Sequence, residues 1–305
     1  MPTIFNARAA AVLVADIGGT HTTLGHVHDG APAPDQVNLS SDLLRVDDPA
    51  AALAVALGSY AAQRALEITA VVLGVPTSLS KDLMTIPSSP NIPQLAGRAL
   101  GAEVSALLNA PVHLERDIGL LLLGEARAGS ARGAGNVLGA FFGTGVGAAW
   151  LHDGRLHRGS SGAGLELGHI PMRGDGARCV CGNTDCLEAY ACGHTLRQLA
   201  GDFGLEVTRL FEERLEHPAL DARLTTFVRD QAYALATAIH LLDPAVVVVG
   251  GGVVQMPAYP LEALFDTVRV HLRQPEPRGS VQLKPDALGR RAALWGALSV
   301  LEERG

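Results

Sequence analysis

"VLVADIGGTHTTLGHVHDG", residues 12–30, and "VLGAFFGTGVGAAWLHDG", residues 137–154, are two versions of one pattern. Each passes from an apolar strand through a glycine-rich turn into a second strand and ends on His-Asp-Gly, which reads as a β-hairpin. Repetition at this distance predicts a duplicated architecture: two lobes, each opening with a glycine turn that faces a shared cleft. Further apolar runs, "AVVLGVP" near residue 72, "PVHLERD" near 113 and "AVVVVGGG" near 246, are continuous rather than alternating. Strands of that kind are buried on both faces by helices. The helices are expected in "DPAAALAVALGSYAAQRAL", "TTFVRDQAYALATAIHLL" and "ALGRRAALWGALSVLEERG", the second stopping before Asp243-Pro244. The fold class is therefore α/β, with a boundary near residues 115–135, drawn as lobes 1–120 and 121–305. The last helix is expected to cross back onto the N-terminal lobe.

Composition narrows the function. With 48% hydrophobic residues and a positive mean hydropathy, 305 residues sustain a sizeable core. A net charge of -7 without any basic run argues against nucleic acid or an anionic membrane as partner. The first residues, "MPTIFNARAA", lack the segments of a signal peptide, and no apolar run reaches the roughly 18 residues of a membrane span. The expectation is a soluble, cytoplasmic protein.

In a reducing compartment, clustered thiols hold a metal more often than a disulfide. All four cysteines, Cys179, Cys181, Cys186 and Cys192, fall in one loop, close to Glu166, His169 and Glu188. Cys179, Cys181 and Cys186 put three thiolates on a tight, glycine-bearing turn, which suits structural Zn²⁺ with a fourth ligand from His169 or Cys192.

Glycine turns after buried strands let backbone N–H groups approach phosphate oxygens, since no Cβ intervenes. Three are present: Asp16-Ile17-Gly18-Gly19-Thr20, Gly143-Thr144-Gly145-Val146-Gly147 and Gly250-Gly251-Gly252. In the first, Thr20 adds a hydroxyl and Asp16 stands where Mg²⁺ would sit. None matches the P-loop or the dinucleotide fingerprint. Asp117 follows the strand-like "PVHLE" and precedes an apolar helix, an N-cap position that Asp also favours for local reasons. His21, His26, His28, His152 and His157 lie along the two hairpins without paired ligand spacing and read as surface or strand-edge side chains.

Taken together, the three glycine turns, "LELGHIP" and "CVCGNTDCLE" resemble the ROK family of sugar kinases and repressors over nearly the whole chain. The resemblance implies a two-lobed actin-like, hexokinase-like (ribonuclease H-like) ATPase fold with a small zinc-binding loop. It implies ATP and Mg²⁺ as cofactors, a hexose as substrate and a homodimer. It assigns the first two turns to phosphate and Gly250-Gly251-Gly252 to the adenosine side. It makes His169 the fourth zinc ligand beside Cys179, Cys181 and Cys186, leaving Cys192 as a buried bystander on the ensuing helix. It places Asn91, Glu166, His169 and Glu188 at the sugar and makes Asp117 the base. "GVPTSLSKDLMTIPSSPNIP", Arg116-Asp117 and "GGGVVQMPAYP" resemble the D-allose kinase branch, while glucokinase and N-acetylhexosamine kinase are the alternatives. Many glucose-phosphorylating relatives carry Asn where this chain has Arg116. A repressor of the family needs an N-terminal helix-turn-helix of roughly 60–80 residues, for which the first strand, starting by about residue 10, leaves no room.

Overall fold

The computed structural model describes residues 8–304, which form two compact units. The first unit contains residues up to 128, the segment 158–164 and residues from 290 onward. Its sheet is built around β1 (Ala9–Ile17), which pairs antiparallel with β2 (His21–His28). The short strands β3 (Ala31–Pro32) and β4 (Val37–Ser40) extend the β2 side. On its other side β1 runs parallel to β5 (Leu66–Val75), and β5 runs parallel to β6 (Val112–Arg116). Helices α1 (Pro49–Gln63), α2 (Leu100–Leu108) and α3 (Asp117–Ala128) complete the unit with the C-terminal helix Ala292–Arg304. Helix α1 starts where Pro49 follows Asp48, whose carboxylate accepts from the Ala51 amide. Leu13, Ile17, Leu53, Leu57, Val71 and Leu73 are all fully buried between sheet and helices.

His26 corrects the sequence reading. It faces inward from β2, only 9% exposed, with Nδ1 2.9 Å from the Tyr60 hydroxyl of α1. Burial holds its imidazole below the ordinary histidine range.

The second unit, residues 129–157 and 165–289, repeats the local plan. Strand β7 (Val137–Phe142) pairs antiparallel with β8 (Val146–His152) and parallel with β10 (Val246–Gly250). The edges are β9 (Arg155–Leu156) beside β8 and β11 (Gln282–Pro285) beside β10. Every residue of β7 and β10 is buried, which explains their unbroken apolar composition. The helices are α4 (Glu188–Ala191), α5 (Gly193–Phe203), α6 (Leu210–Glu213), α7 (Pro218–Leu242) and α8 (Leu261–His271). Helix α7 ends at Asp243 in the left-handed region, just ahead of Pro244, which cannot continue it. Among the described residues no helix is long and apolar enough to cross a membrane.

Candidate active site and metal centre

In the first unit, Asp16 lies at the end of β1 in register with Gly74 of β5, which is in turn in register with Glu115 of β6. A Cβ on Gly74 would lie 2.8 Å from Leu120 Cδ1, 3.3 Å from Asp117 Cα and 3.3 Å from Asp16 Oδ1. One missing side chain thus gives Asp16 and the start of α3 their common space. Asp117 opens α3, and its Oδ1 accepts from the Ile118 amide at 2.7 Å. Asn91 is exposed and packs over Gly19, whose Cβ would lie 3.5 Å from Asn91 Cβ and Cγ. Arg116 Nη1 donates to the Gly164 carbonyl at 2.8 Å, so part of this guanidinium holds backbone.

Two first-unit residues escaped the sequence reading. Gly74 carries the signal of a glycine inside an apolar strand, which marks close approach. Glu115 is 2% exposed, and its Oε2 accepts from Arg158 at 2.6 Å and Arg304 at 2.7 Å. Its partners are 43 and 189 positions away, beyond any local pattern.

Asp16 has a distinct electrostatic setting. Burial pushes its carboxyl up to about 6. Folding therefore favours the uncharged form more than water does, although above about pH 6 the carboxylate still predominates.

In the second unit, ligand atoms of His169, Cys179, Cys181 and Cys186 lie within 4.8 Å of one another. His169 Nδ1 is 3.6 Å from Cys179 Sγ, and Cys181 Sγ is 3.7 Å from Cys186 Sγ. Tetrahedral zinc with Zn–S of about 2.3 Å and Zn–N of about 2.0–2.1 Å separates its ligand atoms by about 3.5–3.8 Å, so the donor set fits. Burial first, and then the neighbouring thiols, push the Cys186 thiol up to about 12. Ionising three sulfurs here calls for a cation among them. The loop is shaped for this by the Cys179 amide donating to Asn183 O at 2.9 Å and the Gly182 amide to Cys179 O at 3.0 Å.

Cys192 lies outside the cluster. Contrary to the expected helical position, it is an extended residue (φ -124°) at the break between α4 and α5, 2% exposed, its Sγ 3.9 Å from Thr195 Oγ1. With Nδ1 of His169 turned toward the sulfurs, Nε2 faces Glu166 Oε2 at 3.9 Å. Glu188 begins α4, and its Oε2 accepts from the Val146 amide at 2.7 Å. Gly145 is what admits that carboxylate, since a Cβ there would collide with it. Gly193 donates its amide to Gly143 O at 2.7 Å. The turn Gly143–Gly147 is therefore clasped from the metal-loop side. Gly251, at φ +96°, packs on the Phe142 carbonyl, which also accepts from the Val253 amide at 2.9 Å. The second and third glycine turns thus meet at the end of β7.

Two outcomes are expected. Elemental analysis should find one zinc per chain, lost in Cys181→Ser and retained in Cys192→Ser; zinc retained by His169→Ala and lost from Cys192→Ser would make the site a four-cysteine one. Because the folded pKa of Asp16 is raised, its contribution to stability is present below about pH 4 and is lost as pH rises through about 6. Asp16→Asn should therefore stabilise the fold at about pH 7.5 by roughly 1–3 kcal/mol, with the gain shrinking toward pH 4. Denaturant melts of the two proteins at several pH values check this, and a variant less stable at neutral pH would refute it.

The chain resembles known proteins along almost its full length. The sequence pattern of the ROK family matches residues 13–304. A glucokinase of Thermotoga maritima is 29% identical over 257 residues, 76% of this chain and 78% of the relative. The crystal structure of a ROK hexokinase from Thermus thermophilus superposes with a TM-score of 0.80 at 32% identity, covering 96% of this chain and 99% of that one. A ROK glucokinase from Streptomyces griseus, solved with glucose and AMPPNP, gives 0.81 at 26% identity over 95% and 98% of the two chains. The two-sheet α/β fold is thus the hexokinase-like one, and the chain belongs to the ROK family.

Proposed function

We propose that this chain is an ATP- and Mg²⁺-dependent hexose kinase acting on the 6-hydroxyl. The observation that carries the reading is the meeting of Asp16 and Asp117 on Gly74, at the carboxyl end of β1 and the start of α3. Asp117 accepts the proton of the 6-hydroxyl, whose oxygen attacks the γ-phosphorus as the bond to the β-phosphate oxygen breaks. Mg²⁺, when bound, neutralises charge on the phosphates, and Asp16 is the carboxylate that would hold it. Amides of Gly19, Thr144 and Gly145, with the Thr20 hydroxyl, serve the phosphates, while the Gly18 and Gly143 amides close their own turns on His21 O at 2.8 Å and Gly145 O at 2.9 Å and Gly147 belongs to the β8 ladder; Gly250, Gly251 and Gly252 serve the adenosine. Asn91, Glu166, His169 and Glu188 orient the sugar ring. The Cys₃His centre has no open position, so its part is to fix His169 Nε2–H as a donor toward a sugar oxygen.

Within this class we assign D-allose as the preferred hexose, supported by Arg116. Allose and glucose differ only at the 3-hydroxyl, so a charged donor-only group in place of an amide distinguishes them by which hydroxyl it leaves unpaired. Its bond to Gly164 O lets it act by fixing backbone as well as by donating to the sugar.

Asp117→Asn should lower kcat by about 10²- to 10⁴-fold with sugar affinity changed far less. Near-normal turnover in the folded variant would remove Asp117 as the base. For the wild type, kcat/KM for D-allose should exceed that for D-glucose by about tenfold or more, and Arg116→Asn should narrow the gap. Glucose equal to or better than allose would leave a hexose kinase and discard the allose preference.

A further inference from the structure

A backbone amide is available to an anion only when its peptide plane is held from the other side. In a trans peptide the carbonyl of one residue and the N–H of the next point in opposite directions. In the first glycine turn the carbonyls of three successive residues are bonded to one short segment, "SSDLLR", residues 40–45. Ser41 Oγ donates to Gly18 O at 2.7 Å, Arg45 Nη2 to Gly19 O at 2.8 Å, and the Ser41 amide to Thr20 O at 3.0 Å. With the Gly18 and Gly19 carbonyls drawn toward this segment, the Gly19 and Thr20 N–H groups are turned away from it.

The same Arg45 Nη2 donates to Asn91 O at 3.1 Å. One guanidinium nitrogen therefore joins the phosphate-side loop to the loop bearing the sugar-side Asn91. The packing of Asn91 over Gly19 is an independent sign that the two loops are one piece. Arg45 is itself held in place. Its Nη1 pairs with Asp42 Oδ1 at 2.5 Å, and Asp42 Oδ2 accepts from Ser40 Oγ at 2.9 Å. Ser41 is fully buried and bonded to Thr22 Oγ1 at 3.0 Å.

We infer that Ser41 and Arg45 form a carbonyl clamp that positions the Gly19 and Thr20 amides for a nucleotide phosphate and, through Arg45, couples that loop to Asn91 and the sugar. Both are positioning residues, and the inference rests on the kinase reading above. A free loop must be ordered separately by each ligand; a shared clamp lets the first ligand order the loop for the second, which is coupling free energy between two sites.

The side chain of Arg45 is 34% exposed, so its replacement tests position rather than folding. Titration calorimetry with MgAMPPNP, with and without the hexose the wild type phosphorylates best, reads the coupling directly. The wild type should bind the nucleotide about fivefold or more tightly when sugar is present. In Arg45→Ala that factor should fall below about twofold, and KM for sugar and for ATP should rise together by about tenfold, with Tm little changed. Arg45→Lys, which keeps a cationic donor, should be intermediate. Equal coupling in wild type and Arg45→Ala overturns the clamp, as does a variant that loses Tm but keeps both KM values. A wild type that phosphorylates no hexose overturns instead the kinase reading on which the clamp rests.

Discussion

The missing side chain of Gly74 is the constraint on which the first unit depends. Strands β1, β5 and β6 place Asp16, Gly74 and Glu115 in one row, and only a residue without Cβ in the middle leaves room for the Asp16 carboxylate beside the first turn of α3. An alanine there would press on Leu120, Asp117 and Asp16 together, moving the two acidic residues and the helix that carries one of them. Glu115 adds the other half of the restraint. A carboxylate 2% exposed must be paired, and its bonds to Arg158 and Arg304 fix the end of β6 two residues before Asp117.

The same geometry makes the site costly to the fold. Asp16 is held where burial disfavours its charge, although a carboxylate is what a magnesium ion needs. The rest of the sheet, with Leu13, Ile17, Val71 and Leu73 fully buried, supplies stability that offsets this cost, and on the proposed kinase reading a buried carboxylate here has a use.

What the sequence disclosed and what it withheld divide along the range of the interactions. The two hairpins, the unbroken strands and the thiol cluster are encoded within a few residues: an apolar run, a glycine pair, a spacing of cysteines. Strand β7 and helix α7 follow such signals directly. Glu115 with Arg304, Arg45 with Gly19 and Asn91, and Glu188 on the Val146 amide are set by register and packing across tens to hundreds of positions. His26 was misread for the same reason, because the Tyr60 that buries it stands 34 residues away. Cys192 was placed on a helix because a local pattern does not show where α4 gives way to α5.

The metal loop shows how a segment poor in apolar residues keeps its shape. Val180 is 71% exposed, Cys181 is exposed, and few side chains between Arg173 and Asp185 reach the core. Hydrophobic burial cannot order such a stretch. Four ligands on one ion can, because closing the loop through the metal replaces many weak contacts with a few strong ones. The order is passed on through short covalent steps: Cys186 is followed by Leu187, fully buried, and by Glu188, whose carboxylate grips the Val146 amide. A cation held by these ligands would therefore steady, two residues on from Cys186, a carboxylate that fixes the backbone of the Gly143–Gly147 turn.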